Sequence, residues 1–252
     1  MGRVVAVANQ KGGVAKTTTT HSLGAALAEL GERVLLVDLD PQACLTYSLG
    51  IDSDTLDQSL HDVLAGRAEA ADVLVKSGDL AALPATIDLA GAEVHLMTRT
   101  GREHVLARAL KPLVGEYDTV LIDCPPSLGV LTINGLTAAD EVIVPLQCET
   151  LGHRGVGQLL ETIGDVRSFT NPELAVRGLV ATMFDRRTRH SQEMLADLEE
   201  RYGVPVLGEP IPKSVRFAEA PGQGRSILTH APRSAGAEAY RVIARILHQE
   251  SR

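Results

Sequence analysis

Aromatic side chains are scarce in this sequence: 252 residues include no tryptophan, 3 phenylalanines and 4 tyrosines. That shortage argues against single-stranded nucleic acid as a partner, because such binding stacks bases on aromatic platforms. Cysteine is scarce as well. Cys44, Cys124 and Cys148 show no C-x-x-C spacing, and an odd number with no signal peptide predicts reduced thiols in a cytosol. No apolar run approaches the ~18 residues that cross a bilayer. No linker, internal repeat or low-complexity tract interrupts the chain, and the N-terminus runs directly into an apolar stretch, leaving no room there for a helix-turn-helix. A positive net charge is also lacking: Lys+Arg 24 against Asp+Glu 32 gives −8, which argues against a constitutive nucleic-acid binder. The balance is uneven, however. Residues 183–252 hold 11 Lys or Arg against 9 Asp or Glu, while residues 1–182 hold 13 against 23. Basic charge is therefore concentrated late in the chain.

With 44% hydrophobic residues, the chain is long enough for one large α/β domain over residues 1–252. Apolar runs predict strands at Val4–Ala8, Val34–Val37, Thr119–Ile122, Glu141–Pro145 and Gly178–Thr182, with a short one near Val206. Helical periodicity marks Lys16–Leu30, Leu56–Ala65, Glu103–Leu110, Val130–Ala138, Val156–Ser168, Ser191–Tyr202 and Ala235–Gln249. Short apolar strands alternating with helices predict a doubly wound, mostly parallel sheet covered by helices on both faces. Ligands of such sheets sit beyond the carboxyl ends of the strands.

The segment Asn9-Gln10-Lys11-Gly12-Gly13-Val14-Ala15-Lys16-Thr17-Thr18 falls at such an end. Strand, glycine-rich turn and helix together form a phosphate cradle: glycines let backbone N–H groups approach an anion, and the helix N-terminus adds its positive dipole end. Lys16 is placed for β/γ phosphates and the Thr17 hydroxyl for Mg²⁺. The ordinary pattern G-x-x-x-x-G-K-[ST] is not met, since Gln10 and Ala15 occupy its glycine positions. A second lysine, Lys11, stands where the loop leaves the strand and is able to point away from its own site. Two other strands end in carboxylates. Leu35-Leu36-Val37-Asp38-Leu39-Asp40 places Asp38 and Asp40 on opposite sides of an extended chain, one toward a Mg²⁺ shell and one toward a γ-phosphate. Thr119-Val120-Leu121-Ile122-Asp123 has a Walker B shape and runs into the stiff turn Pro125-Pro126. Cys124 reads as a small buried residue, with no histidine beside it to activate the thiol. The histidines, His21 among them, read as packing or surface residues.

The K-G-G-x-x-K-[ST] loop resembles the deviant Walker A of the ParA/MinD ATPases. With both acidic strands, and with Val144-Pro145-Leu146-Gln147, Thr182-Met183-Phe184-Asp185, Ile211-Pro212-Lys213-Ser214-Val215-Arg216 and Glu219-Ala220-Pro221-Gly222, the whole chain resembles the ParA/Soj partition ATPases. The resemblance implies a P-loop NTPase-like fold, ATP and Mg²⁺ as cofactors and ATP hydrolysis. It makes Lys11 the signature lysine that reaches the partner's nucleotide in an ATP-bound homodimer. Gly12, Gly13, Val14, Ala15, Lys16, Thr17 and Thr18 would hold the phosphates, Thr18 on the α-phosphate side. Asp40 would position the attacking water, and Met183 and Pro212 would lie near adenine. The expected catalytic residues are Lys11, Lys16 and Asp40, and the expected metal residues are Thr17, Asp38 and Asp123. By the same resemblance Arg187, Arg189, Lys213, Arg216 and Arg225 would bind nonspecific double-stranded DNA through its phosphates. A ParB-like protein would stimulate hydrolysis, and the protein would be cytoplasmic and nucleoid-associated.

The sequence departs from the family at two places. Ala15 replaces a glycine, which a Cβ tolerates only if its φ stays negative. Lys213 stands where many relatives carry arginine, losing the bidentate fork. Three other readings compete. A MinD-like membrane ATPase would use Ala239, Val242, Ile243, Ile246 and Leu247 of the last helix as an apolar face, although its polar face is not strongly basic and packing on the sheet is favoured. A nucleotide-switched scaffold would bind ATP and barely hydrolyse it. An iron–sulfur relative would need paired thiolates at a dimer seam, for which Cys124 and Cys148 are poorly placed.

Overall fold

The computed structural model describes residues 2–147, 152–185, 193, 199–200 and 202–249. Seven strands form one sheet: β1 (Arg3–Val7), β2 (Val34–Asp38), β3 (Val75–Ser77), β4 (Leu80–Leu83), β5 (Thr119–Asp123), β6 (Glu141–Gln147) and β7 (Ala175–Thr182). Their spatial order is β3-β4-β2-β5-β1-β6-β7. Every neighbouring pair is parallel except β3 with β4, a hairpin at the edge. The helices are α1 (Lys16–Glu29), α2 (Cys44–Ser48), α3 (Leu60–Ala65), α4 (Leu89–Met97), α5 (Val105–Leu110), α6 (Val130–Ala138), α7 (Gly152–Phe169), α8 (Arg216–Glu219), α9 (Ile227–His230) and α10 (Ala235–Gln249).

Alternation along the central strands divides the core in two. Val4, Ala6, Leu35, Val37, Val120 and Ile122 pack to one side, under α3 to α7. Val5, Val34, Leu36 and Leu121 pack to the other, under α1, α2 and α10. Both faces are covered, so the strands are apolar throughout rather than alternating with polar residues. Helix α1 lies so close to the sheet that a Cβ built on Gly24 would stand 2.7 Å from Leu36 Cδ2. A Cβ there would force the Leu36 side chain to shift.

Several elements differ from the sequence-based expectation. The strand expected near Val206 is a single parallel bridge to Leu179. The expected helix Leu56–Ala65 begins at Leu60, where Ser59 and Asp62 form a capping box. Edge strands β3 and β4 were not expected, because Leu80-Ala81-Ala82-Leu83 carries no β-branched residue and reads as helix as readily as strand. Helices α2 and α4 were also missed. The expected helix Ser191–Tyr202 lies mostly outside the described residues. The buried face of α10 is Ala239, Tyr240, Ile243, Ala244 and Leu247, with Val242 and Ile246 only half-buried. Tyr240 meets the Thr19 hydroxyl of α1 at 3.0 Å, Arg241 pairs with Glu29 at 2.6 Å, and Arg3 donates to the Leu247 carbonyl at 2.7 Å. The last helix is thus docked on α1. None of the described helices is long and apolar enough to cross a membrane.

Candidate active site

Three strand ends meet in one place. β1 lies between β5 and β6, so the loop that leaves it opens where neighbouring connections diverge. Asn9, fully within the core, donates to the Pro145 carbonyl at 2.7 Å and accepts from the Lys11 N–H at 3.0 Å, which fixes where the loop starts. Thr182, at the end of β7, donates to the Val14 carbonyl at 3.0 Å and fixes the middle. Neither brace was foreseen from sequence, because each acts across more than 130 residues. Gly13 has φ 75°, and Ala15 has φ 65° and ψ 35°, both left-handed. The expectation of a negative φ at Ala15 is therefore wrong. The loop must turn left-handed there to lead into α1, and Ala15 does so with a Cβ in place.

Lys16 and Thr17 open α1 as expected. Lys16 is buried, and its Nζ lies 3.4 Å from the Lys11 carbonyl oxygen. Burial lowers its pKa, against the pull of Asp123 and Asp40. Thr17 Oγ1 donates to Asp123 Oδ2 at 2.7 Å, and Thr20 Oγ1, a residue the sequence reading did not single out, lies 3.3 Å from Asp123 Oδ1. Asp123 is fully buried beside the equally buried Asp38. Burial first, then the Asp38 charge, pushes Asp123 up to about 8, against the Thr17 hydrogen bond and the Lys16 charge. Burial pushes Asp38 up to about 6, against its hydrogen bonds from Thr46 and Asp40. Two carboxylates held above their usual range beside a hydroxyl and a lysine form a setting that a cation relieves. Among the described residues no group of three or more His, Cys, Asp or Glu is arranged to hold a metal by itself. A Mg²⁺ held by one hydroxyl, a carboxylate, phosphate oxygens and water needs no such group.

Asp38, expected as a metal residue, is also tied into the surrounding backbone. Its Oδ2 accepts from the Thr46 N–H at 2.8 Å and hydroxyl at 2.7 Å, and its Oδ1 accepts from the Asp40 N–H at 3.2 Å. Both oxygens are engaged, so Asp38 braces the turn that presents Asp40. Asp40 itself is half-exposed and lines a cavity of about 590 Å³ with Gly12, Lys16, Thr17 and Pro126.

A second cavity, of about 530 Å³, adjoins the loop on its other side. Ala15, Thr18, Met183 and Pro212 line it together, along with Phe217 and Tyr240. Met183 has φ 50°. The non-glycine residues with positive φ among those described are Ala15, Ala43 and Met183, and each lines one or both cavities. Backbone strain of this kind persists where surrounding structure enforces it, and it gathers at functional sites. Lys213 lines the second cavity and Arg225 the first, Arg216 lines neither, and all three are exposed and form no salt bridge with the described residues. Arg187 and Arg189 lie outside the described residues. Cys124 is fully buried and Cys44 exposed, and burial raises both thiols.

A family model described as AAA domain matches residues 2–176. The sporulation initiation inhibitor protein Soj of Bacillus subtilis is 44% identical over 247 residues, covering 97% of this chain and 98% of that protein. The chromosome partitioning protein ParA of Caulobacter vibrioides is 47% identical over 247 residues, covering 96% and 92%. A crystal structure of cobyrinic acid a,c-diamide synthase from Mycobacterium smegmatis with bound ATP analog and magnesium superimposes with a TM-score of 0.89 at 56% identity, covering 99% of this chain and 96% of that one.

Proposed function

The chain belongs to the AAA-domain family of ParA/MinD-type ATPases, and from that premise we propose that it is a partition ATPase that dimerises with ATP, binds duplex DNA and releases it on hydrolysis. The observation that carries the reading is the convergence of Lys16, Thr17 and Asp123 at the end of β1, with Asp40 on the rim of the same cavity. Thr17 and Asp123 would hold Mg²⁺, which supplies charge neutralisation on the phosphates. Lys16 places its ammonium group at the base of the cradle for the phosphates, and the loop N–H groups add donors. Asp40, held by Asp38 behind it, orients a water and accepts its proton. Lys11 reaches the nucleotide of a second copy. Thr18, Met183 and Pro212 line the adenine side, and Ala15 borders both cavities.

Lys213, Arg216 and Arg225 support duplex DNA as the surface on which the dimer rests. Phosphate contacts need unpaired, exposed cations and no base readout. Two copies double each contact, which reconciles a net charge of −8 with a DNA partner. A ParB-like protein then stimulates hydrolysis. Docking of α10 on α1 disfavours a MinD-like membrane anchor at this helix. Amide synthesis, named for the Mycobacterium smegmatis relative, finds less support here. Glutamine-dependent amidation needs an activated thiolate, and the two cysteines among the described residues, Cys44 and Cys124, are both raised; Cys148 lies outside the described residues.

The test is binding to random-sequence duplex DNA with ATP, ADP or no nucleotide, in the parent and Asp40→Ala, across a salt series. Retention with ATP alone, prolonged by Asp40→Ala and weakened by salt, is expected. Absence of DNA binding in every state would sink the partition reading. ATP turnover that requires cobyrinic acid and glutamine would replace it with the amidation reading. For the cross-subunit role, Lys11→Ala should lose ATP-dependent dimerisation; parent-like dimerisation would refute that role.

A further inference from the structure

One apolar surface has no part in the reading above. Ile87, Val94 and Met97 are 68%, 71% and 64% exposed. With exposed Ala90 they recur along α4 and its entry at helical spacing, so they share one face. Leu89, Ala92 and Leu96 of the same helix are buried in the core. Helix α4 therefore has two apolar faces and uses one of them to fold. A contiguous exposed apolar stripe of this kind marks an interaction surface.

Two chains of contacts join the stripe to the active site. The Ala85 N–H donates to Thr46 Oγ1 at 2.9 Å, and that hydroxyl donates to Asp38 at 2.7 Å, so the segment entering α4 is tied to the acidic strand end. Glu93 lies beside the loop that follows Asp123: a Cβ built on Gly129 would stand 3.2 Å from Glu93 Oε1. In the same loop Pro126 faces Gly12, with 3.9 Å between its Cβ and one built on that glycine.

We propose that the α4 stripe forms part of the seam between two copies of this chain in the ATP-bound dimer. The proposal rests on the dimer reading given above. For Lys11 to reach a second copy's nucleotide, the rims carrying Gly12, Gly13 and Pro126 must come together. Those rim residues offer little apolar side chain. A stable interface takes about 800 Å² from each partner and has an apolar core in which methionine is enriched. Helix α4 adjoins the Pro126 loop through Glu93 and Gly129, and its exposed Ile87, Val94 and Met97 offer the apolar side chains for such a core. A two-fold arrangement brings the same face from both copies to the seam.

The experiment measures the monomer–dimer equilibrium by sedimentation in an Asp40→Ala background with Mg²⁺ and ATP or ADP. Val94→Glu and Met97→Glu should each weaken the ATP-dependent dimer at least about tenfold, with binding of a fluorescent ATP analogue to the monomer unchanged. In the parent, amide hydrogen exchange over residues 87–97 should slow with ATP and not with ADP. This arm needs no variant, so it decides the matter should a glutamate impair folding. Unchanged dimerisation of both variants, or exchange at 87–97 indifferent to ATP, overturns the proposal, even if stimulation by a partner protein falls. Failure of the Asp40→Ala protein itself to dimerise with ATP refutes instead the dimer reading on which the proposal depends.

Discussion

Replacing Ala15 by glycine should stabilise the protein, contrary to the usual effect of placing glycine next to a helix. Ala15 holds φ 65° and ψ 35°, and its carbonyl accepts the Thr19 N–H at 2.9 Å as the first bond of α1. A left-handed conformation costs an L-residue with a Cβ about 1–2 kcal/mol. Glycine removes that cost but loses more conformational freedom on folding, about 0.5–1 kcal/mol. The difference favours Ala15→Gly by about 0.5–1 kcal/mol, a rise in melting temperature of about 1–4 °C for a chain of this size. Ala43, at φ 52° and ψ 31°, should respond in the same direction. Ala26, inside α1 and buried, serves as the opposite control: Ala26→Gly should lose about 1 kcal/mol or more. Denaturant unfolding of the nucleotide-free variants measures all three. Should Ala15→Gly be destabilised as much as Ala26→Gly, the strain is not there and the reasoning fails. Because Ala15 lines both cavities, nucleotide affinity measured on the same variant reports whether strain relief also alters binding.

Three further outcomes are expected. Thr46→Val removes a buried hydroxyl that donates to Asp38 and accepts from the Ala85 N–H, so it should cost roughly 2–4 kcal/mol in unfolding free energy; a change below 0.5 kcal/mol would contradict that bracing role. His21 is buried against Ser48 Oγ at 3.1 Å, and burial lowers its pKa to about 4. The unfolded chain therefore takes up this proton first. The stability tied to neutral His21 is full above about pH 6.5 and is lost as pH falls toward 4, by about 2 kcal/mol between pH 7.5 and 5. His21→Asn should flatten this part of the pH profile, and denaturant curves at the two pH values read it directly. Alanine at Lys213, Arg216 or Arg225 should weaken ATP-dependent DNA binding and reduce the salt slope by about one or more per substitution; an unchanged slope would remove that side chain from the DNA surface.

The sequence by itself determined the chemistry and the central strands. Strand, glycine turn and lysine helix are local, and their residue types follow from phosphate binding alone, so Lys16, Thr17 and Asp123 were legible before any coordinates. Val34–Asp38 and Thr119–Asp123 are apolar enough to be read as buried strands ending in acid. Tertiary structure alone decided what depends on distant partners. The left-handed Ala15 is imposed by braces from Asn9 and Thr182, which no local preference of alanine reveals. Asp38 became a brace because Thr46, on a helix absent from the sequence reading, folds back onto it. The edge strands exist because β2 offers β4 a partner and β4 in turn offers one to β3. The C-terminal helix, amphipathic by pattern and open to two readings, is held by Tyr240, Arg241 and Arg3 contacts spanning more than 200 residues. Periodicity shows that a helix has an apolar face; only packing shows whether that face is already covered.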